Sequence, residues 1–555
     1  MNVTDRCLEM CAPSLRWDEG LPLGNGHMGA IVWGNGAPLN ISVDRSDLWD
    51  LRPVPEFQTD EDNYKTMRAW VETGRENDLE RLYRTSYIDS PAPTKLPAGR
   101  IVLSISENPA FKKAKLSLAD ATAEACFAGG VKVRVLVHAT AQVGLIAIEG
   151  ASESFIPQLF APPFTGGEYA DRDGKDLRKS QNSLTKLGYP APAKESGKDW
   201  AGYTQACWGD FRYAVAIVWK QQGDRWEGAW SIATSRENND ILSYARERAR
   251  EAVSEGFDEM LAVHAAWWTE FWKGSSIRLP NKTIERQWFL DTYKFGAASR
   301  RGAPPIALQS PWTADDGRIP PWKGDYHHDL NTELTYWPCY SANHLEEGLS
   351  FLDWLWKTKP NCEAWTKRFY GLPGLNVPGV ADINNNPLGG GSPYSHSCTT
   401  GAWLAQHFYL HWRYSMDREF LREQAWPWLR DCAVFIAAIT EPGADGKRTL
   451  PLSSSPEINE HTPEAWFSTI TNYDLALIRW LFSTAAELAD EIELKADANH
   501  WRAVLTEMPE LAGSKDDGRL LVAKDFALSD QHSESFKDSS SHRHFSHLMA
   551  IHPLG

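Results

Sequence analysis

No run of apolar residues in this chain is long enough to cross a bilayer, so no membrane-spanning helix is read from it. The eight cysteines (Cys7, Cys11, Cys126, Cys207, Cys339, Cys362, Cys398 and Cys432) are scattered and include no Cys-x-x-Cys pair. That excludes a zinc ribbon or a dithiol redox motif and leaves free thiols as the expectation. No glycine-rich phosphate loop precedes a lysine, and no Gly-x-Ser-x-Gly elbow occurs, so phosphoryl transfer and serine-esterase chemistry drop out. The first twenty residues lack the basic-then-apolar order of a secretory signal, so the chain is read as cytoplasmic or as beginning short of its natural start. Basic residues are outnumbered, 57 against 73 acidic, for a net charge of −16. Nucleic acid and anionic membrane both reward basic surfaces, so neither is expected as a partner, whereas a neutral ligand is compatible.

What the chain has in abundance is tryptophan, 26 in 555 residues. An indole offers a flat apolar face and one N–H donor, which suits the faces and hydroxyl rims of sugar rings. Most of the 26 are nevertheless expected in cores. A chain of this length exceeds one core and is read as multidomain, α and β. Val131, Val133, Val135 and Val137 alternate with Lys132, Arg134 and Leu136 straight after Gly129-Gly130, the pattern of a turn feeding a strand. Similar runs at 101–106, 143–149, 213–219 and 228–234 predict an antiparallel β-sandwich over 1–238, with 150–200 as a long excursion. At about 239 the period becomes helical, and 239–300 is read as a helical linker. From 301 to 555 helices at 400–415, 417–439 and 493–508, with the stripe Leu475, Ile478, Phe482, Ala485 and Ala489, alternate with long loops at 301–328 and 371–398. This reads as an (α/α)6 toroid barrel, incomplete because too few helices are found and the chain ends after an apolar stretch that looks helical.

Three constellations could carry chemistry. The stretch from Asp325 to Pro338 gathers carboxylates, an amide, two imidazoles and aromatics around a helix start, and Ser455-Pro456-Glu457 places an acid on a separate loop. Two acidic centres with aromatic walls are what cleavage of a sugar acetal needs. Asp329 and Asn331, two residues apart, could hold one water between them. Each has a local explanation as well: Ser-Pro-Glu is a good helix N-terminus, and Asp329 could cap the helix that follows. His542-Arg543-His544 with His547 lacks the Glu and Cys companions of a zinc site, so no metal or cofactor is expected and sugar hydroxyls fit better. Candidate catalytic residues are thus Glu457, Asn331 and Asp329. Candidate substrate contacts are His544, Arg543, Trp322, Trp337, His328 and Glu333, the partner being an oligosaccharide or glycan.

These motifs, taken in order, resemble glycoside hydrolase family 95, the inverting α-L-fucosidases and their α-L-galactosidase relatives. The likeness runs through LPLGNGHMGAIVWG (21–34), ISVDRSDLWD (41–50), ALQSPWTADDGRIPPWKGDYHHDLNTELTYWP (307–338), GAWLAQHFYLHWRYSMDREFL (401–421), SSSPE (453–457) and HRHFSHL (542–548). The resemblance implies a β-sandwich, a helical linker, a six-hairpin barrel and a C-terminal β domain, in a secreted or periplasmic enzyme. It implies a general acid at Glu457, a water-orienting asparagine at Asn331, and a grip on the sugar by Arg543 and His544. The chain departs from the family in having Asp329 where the first of two paired asparagines is expected, and in its 371–398 loop. The family's catalytic carboxylate is expected beyond residue 555. Rival readings are another sugar or a phosphorolytic reaction on the same scaffold, and a carbohydrate-binding protein without catalysis.

Overall fold

The computed structural model describes residues 6–105, 110–150, 155–166, 182–443, 445–459, 463–524, 526 and 544–555. It divides into two compact units. The first comprises 1–52, 91–324 and 341–351, the second 53–90, 325–340 and 352–555.

The first unit is an antiparallel β-sandwich. Its nine-stranded sheet runs, in spatial order, Cys7–Met10, Phe111–Ser117, Thr122–Phe127, Lys132–Val137, Gly144–Glu149, Arg225–Thr234, Arg212–Gln222, Trp200–Ala206 and Ala193–Ser196. The five-stranded sheet runs Gln158–Phe160, Gly99–Leu103, Leu39–Arg45, Met28–Gly34 and Leu21–Gly24. The valine alternation behaves as read: Val133, Val135 and Val137 are buried in the shared core, while Lys132 and Arg134 are half-buried on the other side. Gly129 and Gly130 take φ of 75° and 86° in the turn, a region that residues with a Cβ enter at a cost. Two fully buried indoles, Trp226 and Trp230, fill the middle of this core. A Cβ at Gly144 would run into the Trp230 ring, so that glycine is what lets the indole lie against the sheet.

The segment read as a linker packs on the sandwich instead. Ala245, Ala249 and Ala252 of helix Ile241–Glu255 meet Ala214, Ala216, Ala229 and Ala233 on the outer face of the large sheet. Small side chains on both surfaces permit that close approach. Trp268, Phe271, Phe289 and Tyr293, from the next two helices (Phe257–Phe271 and Lys282–Ala298), join the main core.

The boundary expected at 301 also moves. Residues 301–324 belong with the sandwich, where the buried Asp44 carboxylate accepts from the Thr313 N–H at 2.8 Å and hydroxyl at 2.5 Å, and pairs with Lys95 at 2.9 Å. Asp315 in turn accepts from Ser42 and Arg100. Residues 53–90, expected within the sandwich, are helical and belong with the second unit, where Asp62 pairs with Arg368 at 2.8 Å and Tyr64 packs on Tyr370.

The second unit is helical. Its main helices include Thr400–Ser415, Trp426–Ile439, Asn472–Glu491 and Lys495–Glu507. Every member of the 475–489 stripe is at most 2 % exposed. Phe482 stacks on Trp501 across the hairpin formed by the last two helices. The apolar stretch at 544–555 is a chain of turns around Ser546–Leu548 rather than the α-helix read from sequence. All eight cysteines are free thiols, four of them buried. Among the described residues no helix is long and apolar enough to cross a membrane.

Candidate active site

The site is built in the second unit from a five-residue alternation. Tyr326–His327 forms a short antiparallel ladder with Val380–Ala381, so successive side chains point to opposite sides. Tyr326 and His328 face inward against Trp354, with ring centroids 4.4 and 6.0 Å away. Asp325 and His327 take the other side: His327 Nδ1 lies 2.8 Å from Asp325 Oδ1, and its Nε2 lies 3.9 Å from Asp329 Oδ1. Burial disfavours charge on His327, but Asp325, then Asp329, with Glu457 adding to them, outweigh it and raise its pKa to about 10. His327 is therefore an imidazolium at neutral pH and donates to Asp325, whose second oxygen accepts from the Tyr87 hydroxyl at 3.2 Å.

His328, read from sequence as a substrate contact, is a scaffold group instead. It is 1 % exposed, and burial lowers its pKa to about 3. Asn385 donates its amide to Thr358 Oγ1 at 2.7 Å, which turns its Oδ1 toward His328 Nε2 at 3.2 Å. The neutral ring thus donates from Nε2, and its Nδ1 lies 2.8 Å from the Thr332 hydroxyl, which is also 2.8 Å from the His327 carbonyl. Asn385 belongs to the long 371–398 loop, which also takes the His328 N–H on the Gly379 carbonyl at 2.7 Å. That loop braces the segment carrying the charged side chains.

Glu457 stands on a separate loop, where residues 456–459 form a turn and no helix begins, so the local capping explanation for Ser-Pro-Glu does not hold. Its backbone φ is 55°, uncommon for a residue with a Cβ, and its side chain is 31 % exposed. Its Oε2 lies 3.5 Å from His544 Nδ1. Ser455 and Ser546 share a hydroxyl–hydroxyl hydrogen bond of 2.6 Å, tying the two segments together. Glu457 is also one of the charges that hold His327 protonated, so a single imidazolium responds to Asp325, Asp329 and Glu457.

Asn331 is exposed in the first turn of helix Asn331–Ser341. Glu333, expected to touch substrate, is fully buried, and burial, with Asp329 adding to it, raises its pKa to about 8. A carboxyl in that state is a neutral acid at pH 7 and lies out of reach of a sugar. Trp337 is half-buried, and its indole N–H donates to Gln406 at 3.1 Å. Trp322 lies in the sandwich unit, exposed on a left-handed backbone of φ 48°. Arg543 falls outside the described residues. Asp325 and His327 were missed as site candidates, although the alternation in Asp-Tyr-His-His-Asp was a signal for both.

The buried Glu333 gives a stability prediction. Its folded pKa of about 8 exceeds its unfolded value, so it binds a proton more tightly when folded and costs stability as pH rises from the unfolded pKa toward 8. Glu333→Gln removes that titration. The variant's melting temperature relative to the parent is expected to climb steadily between pH 5 and 8.5. A difference independent of pH would contradict the burial argument.

Residues 285–555 match the glycosyl hydrolase family 95 catalytic domain, and residues 8–155 match the glycosyl hydrolase family 65 N-terminal domain. The chain is similar to alpha-L-fucosidase 2 of Arabidopsis thaliana, 28% identical over 268 residues, covering 47% of this chain and 30% of that protein. It is similar to probable alpha-fucosidase A of Aspergillus niger, 29% identical over 153 residues, covering 26% of this chain and 18% of that protein. The matched stretches span less than a third of either relative. Among solved structures, a putative kojibiose phosphorylase from human microbiome matches with a TM-score of 0.58 at 10% identity, covering 91% of this chain and 68% of that one. This last likeness is one of fold, a β-sandwich followed by an α/α toroid.

Proposed function

We propose, from the match of residues 285–555 to the glycosyl hydrolase family 95 catalytic domain, that the chain cleaves a terminal α-L-fucosyl residue, or a closely related α-L-galactosyl residue, from a glycan with inversion. The observation that supports this most is the shared imidazolium: Glu457 and Asp329, from separate loops, both bear on His327. In this reading Glu457 takes up a proton before the chemical step and gives it to the glycosidic oxygen as the bond to the anomeric carbon breaks. A water held by Asn331 and Asp329 attacks the opposite face and loses its proton to the Asp329 carboxylate. Inversion needs the two carboxyl groups about 6.5–9.5 Å apart, with the water and the ring between them. Positive charge grows on the sugar in the transition state, and the surrounding carboxylates favour it. His544, beside Glu457, orients that carboxyl or a neighbouring hydroxyl.

A phosphorolytic reaction on the same scaffold is the rival that the fold likeness raises. Asp325 and Asp329 put two carboxylates beside His327, which disfavours inorganic phosphate as the attacking group. Hydrolysis fits better.

The test is to incubate the full chain with α-L-fucosides, α-L-galactosides and α-glucosides, with and without phosphate, following the products by proton NMR. The expected result is free sugar appearing first as the β-anomer, with no need for phosphate. Sugar 1-phosphate formed only in the presence of phosphate would replace this reading with phosphorolysis. Calorimetric binding of a glycan without any cleavage would leave a carbohydrate-binding protein.

A further inference from the structure

The loop bearing Glu457 is held by a buried carboxylate that takes no part in the proposed chemistry. Asp474 is 1 % exposed in the first turn of helix Asn472–Glu491. Its Oδ1 accepts from the Thr399 hydroxyl at 2.6 Å. Its Oδ2 accepts from the Ser453 hydroxyl at 2.6 Å and the Ser454 N–H at 3.1 Å. The helix N-cap residue Thr471 completes the grip: its N–H donates to Ser453 Oγ at 2.9 Å, and its hydroxyl donates to the Ser454 carbonyl at 2.7 Å. Residues 453 and 454 are thereby fixed through both side chain and backbone. Ser454 Oγ reaches the Pro393 carbonyl at 2.9 Å, so the same anchor touches the loop that braces His327.

From this geometry we infer that Asp474 is a positioning residue for Glu457, locking the 453–457 loop so that the acid's proton is aimed at the leaving oxygen. The inference rests on the reading of Glu457 as the general acid. A carboxylate accepts these three donors together without having to donate, which a neutral amide cannot do. Its place near a helix N-terminus favours the anion that burial opposes. Glu457 keeps a left-handed backbone three residues beyond the clamp, a conformation that persists only where the surroundings impose it. Asp474 supplies that constraint without touching substrate.

The experiment uses a panel of aryl and alkyl glycosides of graded leaving-group basicity, assayed with Asp474→Asn, Thr399→Val and, as reference, Glu457→Gln. A misaimed acid hurts substrates with basic leaving groups most. Asp474→Asn is therefore expected to lower kcat by roughly 10–100-fold on the poorest leaving groups and only a few-fold on activated aryl glycosides, with KM nearly unchanged. Thr399→Val removes one donor isosterically and should show the same trend at smaller size, which keeps the test open if the Asp474 variant fails to fold. Equal losses across the panel in both variants would mean that Asp474 only stabilises the fold, and the inference would fall. If Glu457→Gln itself shows no leaving-group dependence, the general-acid reading fails first, which separates the two failures.

Discussion

Glu457→Gln is expected to lower kcat by about 10³-fold on glycosides with a sugar or alkyl leaving group, the size usual for loss of a general acid. Glutamine fills the same volume and can still hydrogen-bond, but it carries no transferable proton. Activated aryl leaving groups depart without protonation, so their rates should fall far less, about 10-fold. Equal losses on both substrate classes would contradict the assignment. The backbone offers an independent check. Glu457 sits at φ 55°, where glycine is at ease and other residues are strained. Glu457→Gly should therefore leave the melting temperature unchanged or raise it while activity is lost. That pairing marks a conformation kept for function rather than for stability. A marked drop in stability would show instead that the side chain holds the loop together.

Much of the fold was legible because period and burial agree locally. The valines at 133, 135 and 137 alternate into one core, and the stripe from Leu475 to Ala489 faces another at helical spacing. The boundaries were less legible, since long-range contacts set them. Residues 301–324 join the sandwich through Asp44 with Thr313 and Asp315 with Arg100, pairs more than 200 positions apart that no local pattern announces. Helices at 53–90 were absorbed into the sandwich reading because strands flank them on both sides. In the site, alternation could have separated His327 from His328, since a two-residue strand puts one ring among carboxylates and the other against Trp354. Glu457 could not be told from a helix-capping acid by its immediate neighbours; the long loops and the Asp329–Asn331 cluster singled it out, and the family resemblance gave it the role of general acid. Asp474 stayed hidden for the converse reason. A Thr-x-x-Asp pair at a helix start is ordinary capping chemistry, and its second task appears only when the serine loop folds onto it.

Asp329→Asn is the substitution that most directly tests the chain's departure from the family it resembles. If the carboxylate accepts the water's proton, the amide should reduce kcat about 100-fold, with poor and good leaving groups affected alike. The acidic limb of the pH–rate profile should shift as well, because that limb reports ionisation of the base. The same change acts on His327, whose pKa of about 10 owes part of its elevation to Asp329. A group whose folded pKa is raised stabilises the fold fully below its unfolded value, and that stabilisation disappears as pH climbs through the folded one. Removing Asp329 should thus destabilise the protein between about pH 6 and 8, with the gap to the parent closing toward pH 10. Melting curves across that range and a histidine NMR titration would follow both effects. Unchanged rate, pH profile and sugar preference would dispose of the base role. A changed sugar preference with an intact rate would make Asp329 a contact for a sugar hydroxyl, since a carboxylate accepts from hydroxyls but, unlike the amide, does not donate to them.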